Sequence, residues 1–170
     1  MKRISWSAAA AAVVLLTSLA ALAADQSKVA ALFESSFAKE ATGKTNSALA
    51  DVKAVLRLDP EHYIANLRAG WLNYSAGSYG ESIRFYRKAQ ALAPRALEPT
   101  LGLMLPLMAA KRWSEAERAG LRVLKRDKAS YLARSRLAFI YFSRGSYAKA
   151  EKYYKAVLAD YPSDTEMMLG

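Results

Sequence analysis

The chain has 170 residues, of which 53% are hydrophobic, and 25 Lys and Arg stand against 15 Asp and Glu for a net charge of +10. That apolar content supports a packed core and excludes a disordered polyelectrolyte. The absence of cysteine excludes disulfides, thiolate metal sites, a lipidated cysteine and thiol catalysis.

The first segment has the layout of an address. Lys2 and Arg3 precede an apolar run from Ala8 to Leu22, broken only by Thr17 and Ser18. Ala21-Leu22-Ala23 is a small-x-small processing signal, so residues 1–23 are expected to be a secretory signal peptide, with Ala24 the second choice of cleavage site. The competing reading is an uncleaved anchor over residues 4–24. Either reading places the remainder outside the cytoplasm: periplasmic or secreted, or held at the inner membrane.

Residues 24–170 repeat with a period of 34. Gly43, Gly77, Lys111 and Gly145 form one series; Thr45, Tyr79, Trp113 and Tyr147 another. Ala48, Ser82, Ala116 and Ala150 are uniformly small, and Val55, Ala89, Val123 and Val157 are small and apolar. Pro60, Pro94 and Pro162 share one phase, with Lys128 in the third copy. Each unit therefore predicts two helices. Glycine ends the first because it accepts a left-handed backbone. A bulky residue opens the second, and proline stops it. The expected units are 29–62, 63–96, 97–130 and 131–164, with a partial fifth leading helix at 165–170. Pro106, inside the third leading helix, is expected to kink it. A single antiparallel pair of this length cannot bury its apolar face, whereas stacked copies can.

On these residues the chain resembles the tetratricopeptide repeat family. The fourth copy carries Leu137, Ala138, Tyr141, Gly145, Tyr147, Ala150, Tyr154 and Pro162 on the family's helix-packing positions, with Arg134 where the family often has tryptophan. The second copy matches at Gly70, Gly77, Tyr79, Tyr86, Ala89 and Pro94. The resemblance implies an all-α, right-handed α-solenoid of four units, whose leading helices line a concave groove that holds a protein or peptide. By phase, Phe37, Trp71, Leu105 and Phe139 point into that groove, followed by Glu40, Tyr74, Met108 and Phe142. Leu67 lies among the fifth positions, and Arg68 and Arg136 flank the stripe. The expected partner-binding set is Phe37, Arg68, Trp71, Tyr74, Leu105, Met108, Arg136, Phe139 and Phe142. An aromatic stripe at helical spacing has a second reading, as ordinary core.

Catalytic readings find little support. Gly43-Lys44-Thr45 resembles the end of a phosphate-binding loop, but Ala38 stands where that loop needs glycine. His62, the only histidine, is expected to be a solvated linker residue. The carboxylates sit among basic neighbours, as Glu115 and Glu117 do near Arg118. No metal, cofactor or catalytic residue is therefore expected. The expectation is an exported interaction scaffold and not an enzyme, with a permanent subunit of a homo- or hetero-oligomeric envelope assembly as the alternative. Basic residues crowd the second helices, so contact with an anionic membrane surface is a further partner class, while nucleic acid is not expected.

Overall fold

The structure is a computed structural model and describes residues 8–168, with side chains from residue 23 onward except at 166 and 168. Its elements in chain order are α1 (Ala8–Ala41), α2 (Thr45–Leu58), α3 (Tyr63–Ser75), α4 (Tyr79–Leu92), α5 (Glu98–Ala109), α6 (Trp113–Leu124), α7 (Tyr131–Ser143), α8 (Tyr147–Asp160) and α9 (Thr165–Met168). The second helix of each pair begins at Thr45, Tyr79, Trp113 or Tyr147, the same 34-residue phase as the sequence series. Each helix packs on its neighbours in the chain. In addition, α3 touches α5 and α5 touches α7, so these three leading helices form one continuous layer. The result is an all-α solenoid.

The turns inside the pairs share one geometry. Gly43, Gly77 and Gly145 have φ of 74°, 75° and 71°, and Lys111 takes φ 56° at the same place in the third pair. The next residue closes each turn: Ser78 N–H reaches Asn73 C=O and Arg112 N–H reaches Leu107 C=O, both at 2.8 Å. This is the six-residue closure that satisfies the last carbonyls of a helix. Glycine is absent only from the third copy, and there a lysine bears the left-handed backbone.

Burial follows the small-residue series. Ala48, Val52 and Val55 of α2 pack with Ala65, Ala69 and Leu72 of α3 and Phe85 of α4. A second cluster joins Ile83, Tyr86, Leu103, Met104, Leu107, Ala116, Leu137, Ile140 and Tyr141. Ser82 stands where the other pairs have alanine, and its hydroxyl donates to Gly70 C=O at 2.7 Å, so burying it leaves nothing unpaired. Arg134, in the tryptophan position of the resemblance, donates to the carbonyls of Lys128 and Ala156 and pairs with Asp160. It ties α7 to the end of α8 by hydrogen bonds where a tryptophan would do so by packing.

His62 is not the solvated linker residue that its position after Pro60 suggests. It caps α3, its Nδ1 accepting Ala65 N–H at 3.3 Å, and its ring lies 5.4 Å from that of Phe33. The first backbone donors of α3 had no intrahelical acceptor, and the imidazole supplies one. Pro106 is buried, and the helical span of α5 runs through it. Helix α1 continues without a break through Ala23 and Ala24, and Val29 is among its first side chains packed against the repeats. Residues 1–7 of the expected signal peptide, and 169–170 of the expected fifth leading helix, lie outside the described residues. Among the described residues, no helix is long and apolar enough to cross a membrane.

Candidate peptide-binding groove

The leading helices α1, α3, α5 and α7 present one side chain per 34 residues along their shared face. Phe37, Trp71 and Phe139 are 56%, 40% and 48% exposed, so these three members of the stripe are not core. Leu105 and Met108 are half-buried between them, with Met108 packed against the core cluster. Phe139 is braced by Trp113 of α6, ring centres 6.3 Å apart. Tyr74 lies between Trp71 and Tyr79, at 5.8 and 6.0 Å. Phe142 departs from the set. Its ring meets Tyr147 edge-on at 5.6 Å, and it lines a separate hollow against α8 with Ala150, Tyr154, Leu158 and Met167.

Arg68 organises the first part of the groove. It is only 8% exposed, yet it is charged. Its Nε donates to Ser36 Oγ at 3.0 Å, and Ser36 in turn donates to Ala48 C=O at 3.0 Å. Its Nη2 lies 2.8 Å from Glu40 Oε2, and the guanidinium carbon sits 3.7 Å above the centre of the Phe37 ring. Glu40 also accepts the Trp71 indole N–H. One carboxylate and one guanidinium thus hold both exposed aromatics in place, which lowers the entropy lost when something packs on them. A buried charge needs such pairing to be tolerated.

Between α1, α3 and α5 the surface sinks into a hollow of about 360 Å³, lined by Phe37, Ile64, Leu67, Arg68, Trp71, Tyr86, Glu98 and Gly102. Phe37, Arg68 and Trp71 of the expected set meet here, together with Leu67. Leu105, Met108, Tyr74, Arg136 and Phe139 do not line it. Ile64, Tyr86, Glu98 and Gly102 were not legible as groove residues. Tyr86 belongs to a second helix, α4, and reaches the hollow from behind, between α3 and α5. Its passage depends on glycine: a Cβ on Gly70 would stand 2.8 Å from Tyr86 Cγ, and one on Gly102 would stand 2.3 Å from Cε1. Burial pushes the Tyr86 hydroxyl up to about 12. The 34-residue step from Arg68 to Gly102 to Arg136 was the available signal, since a glycine between two arginines marks a gap.

Arg136 stands beyond that gap on α7, half-buried, with Nη1 donating to Leu101 C=O. Burial pulls its guanidinium down from its ordinary range, against the neighbouring Tyr86 and Tyr74 hydroxyls. Among the described residues no three His, Cys, Asp or Glu side chains are grouped to hold a metal ion.

Two sequence profiles described as tetratricopeptide repeat match residues 38–96 and 107–168, which together are most of the chain. The chain belongs to the tetratricopeptide repeat family. No curated protein sequence matches it. Among solved structures it is similar to the MamA fragment from Desulfovibrio magneticus RS-1, with TM-score 0.72 and 18% identity over 79% of this chain and 76% of that one. It is also similar to YrrB, described as a tetratricopeptide protein with an unusual peptide-binding site, with TM-score 0.66 and 18% identity over 80% and 70%. A third likeness, to the Thermobaculum terrenum O-GlcNAc transferase, has TM-score 0.72 and 19% identity over 81% of this chain but only 27% of that one. At these identities the likeness is one of fold.

Proposed function

We propose that this repeat protein is an exported scaffold, not an enzyme, which holds a peptide, helix or partner domain against the face made by α1, α3, α5 and α7. The observation that carries the reading is the fixed aromatic surface: Phe37 and Trp71, exposed yet held by Arg68 and Glu40, stand beside an apolar hollow. Exposed aromatics that are already ordered, next to a concavity, are what interface anchors require. YrrB, of similar fold, is described by its peptide-binding site, which agrees with this use of the architecture. Export follows from the Lys2-Arg3 start, the apolar run and the Ala21-Leu22-Ala23 signal. The setting it gives is the periplasm or outside the cell.

A photo-crosslinking residue at Phe139 tests the reading in cells. Adducts to one defined protein, absent when the same group is placed at Leu121 on the outer helix α6, support it. Equal labelling from both positions contradicts it.

A second reading, a subunit of a permanent assembly, is favoured by one separate observation. Phe142, Tyr147, Ala148, Tyr154, Leu158 and Met167 surround a second hollow of about 450 Å³ on the face of α8. Light scattering over a concentration series separates the two. A stable monomer favours a foreign ligand in the groove, and a tight oligomer favours the subunit.

A further inference from the structure

Arginines occupy equivalent positions on α3 and α7, and glycine takes that position on the helix between them. Gly102 lies 34 residues after Arg68 and 34 before Arg136. A third arginine there would fill the hollow. Glycine leaves it open, and Tyr86 closes the back. The volume, about 360 Å³, is at the lower end of ligand pockets, and the lining is mostly apolar.

The charges around it are unevenly satisfied. Among the described residues, the lysines and arginines that are not exposed are Lys39, Arg68, Lys88, Arg134 and Arg136. The first four face Asp51, Glu40, Glu61 and Asp160. Arg136 has no carboxylate; its hydrogen-bond acceptor is the Leu101 carbonyl. A half-desolvated guanidinium with no counter-charge is costly in the free protein, and a carboxylate brought by a partner recovers that cost. Arg68 adds a smaller opening. Its Nη2 is close to Glu40 but not aligned with it, so a buried N–H has no hydrogen-bond acceptor. On the opposite side stand acids: Glu40, engaged by Arg68 and Trp71, and Glu98 on the rim at the start of α5. Glu40 and Arg68 offset each other on the α1 side, so the uncompensated positive charge open to an acidic group is Arg136, on the α7 side.

We infer that the partner is an acidic amphipathic segment, which seats a large apolar side chain in the hollow over Gly102 and Tyr86 and presents an Asp or Glu carboxylate to Arg136. This rests on the groove reading and gives it a direction. The apolar anchor lies toward α1 and α3, and the acid toward α7. A guanidinium can take such a carboxylate through two parallel hydrogen bonds, which sets orientation as well as affinity.

The experiment is selection of a phage-displayed random peptide library on the purified protein, with synthetic copies of the enriched peptides titrated by fluorescence anisotropy. Expected are sequences with a large apolar residue and an Asp or Glu at fixed spacing. Trp71→Ala should abolish their binding. Arg136→Gln should weaken it at least tenfold, as should Glu→Gln or Asp→Asn in the peptide, and the two changes together should cost no more than either alone. Arg136→Lys should retain part of the affinity, and the peptide substitution gives the same readout should an Arg136 variant fold poorly. Peptides that need Trp71 but carry no acid, or that ignore Arg136→Gln, overturn this inference and leave the groove reading standing. Failure to select any peptide that depends on Trp71 overturns both.

Discussion

Gly102 of α5 and Tyr86 of α4 occupy one space: a methyl group on the glycine would lie 2.3 Å from the tyrosine Cε1. The relation joins the outer helix layer to the inner one and forms the back of the groove. Gly102→Ala should therefore destabilise the fold by up to about 2 kcal/mol, since overpacking of about 1–3 kcal/mol is only partly offset by the roughly 1 kcal/mol of helix propensity that alanine brings. In a Tyr86→Ala background the same change should be neutral or stabilising. Urea unfolding of the two single variants and the double measures the coupling. Additive effects would contradict the packing described.

The exposed aromatics should behave as surface. Trp71→Ala with Phe139→Ala should cost about 1–2 kcal/mol each, because each side chain is only about half withdrawn from water. Leu72→Ala, one helical position away and fully buried, should cost about 2–5 kcal/mol. Thermal unfolding followed by circular dichroism separates the two outcomes, and partner binding should be lost only in the aromatic pair.

Lys111 carries the left-handed backbone that three glycines carry elsewhere. An L-residue in that region is disfavoured by roughly 1–2 kcal/mol, and glycine returns about 0.5–1 kcal/mol of that through its larger unfolded-state entropy. Lys111→Gly should therefore stabilise the protein by about 0.5–1 kcal/mol. A lower midpoint in urea would mean that the lysine side chain contributes something the turn geometry does not show.

Acid should weaken the first helix pair through Asp51. Burial pushes its carboxyl up, but the hydrogen bonds from Lys39 at 2.6 Å and Ser35 at 2.7 Å prevail and hold it below its ordinary value of 3.8. A group lowered by folding stabilises above its unfolded value and loses that contribution as pH falls through its folded value. Stability should fall on the acid side of about pH 4, and Asp51→Asn should flatten part of that slope. An unchanged slope in the variant would show that the pair does not matter to folding.

The 34-residue period was decisive for the fold because it is a local property. Glycine, a bulky residue and a small residue at fixed offsets dictate where each helix ends and how closely the next can approach. The beginnings at Thr45, Tyr79, Trp113 and Tyr147 follow from that alone. The exposed stripe of Phe37, Trp71 and Phe139 was legible for the same reason, since helical phase sets the direction of a side chain. Phase did not carry Phe142 into the groove, because Tyr147 of the next helix offered its ring an edge.

What the tertiary structure alone decided are relations between residues far apart in the chain. Tyr86 enters the groove from the outer layer because two glycines on different helices stand aside. Glu40 links Arg68 and Trp71 across more than two dozen positions, and among the described residues no carboxylate pairs with the half-buried Arg136. Periodicity places each side chain on a face. Which charges meet, and which side chain from another layer closes a space that glycine opens, depends on how the faces stack, because pairing and steric exclusion act over a few ångströms between helices.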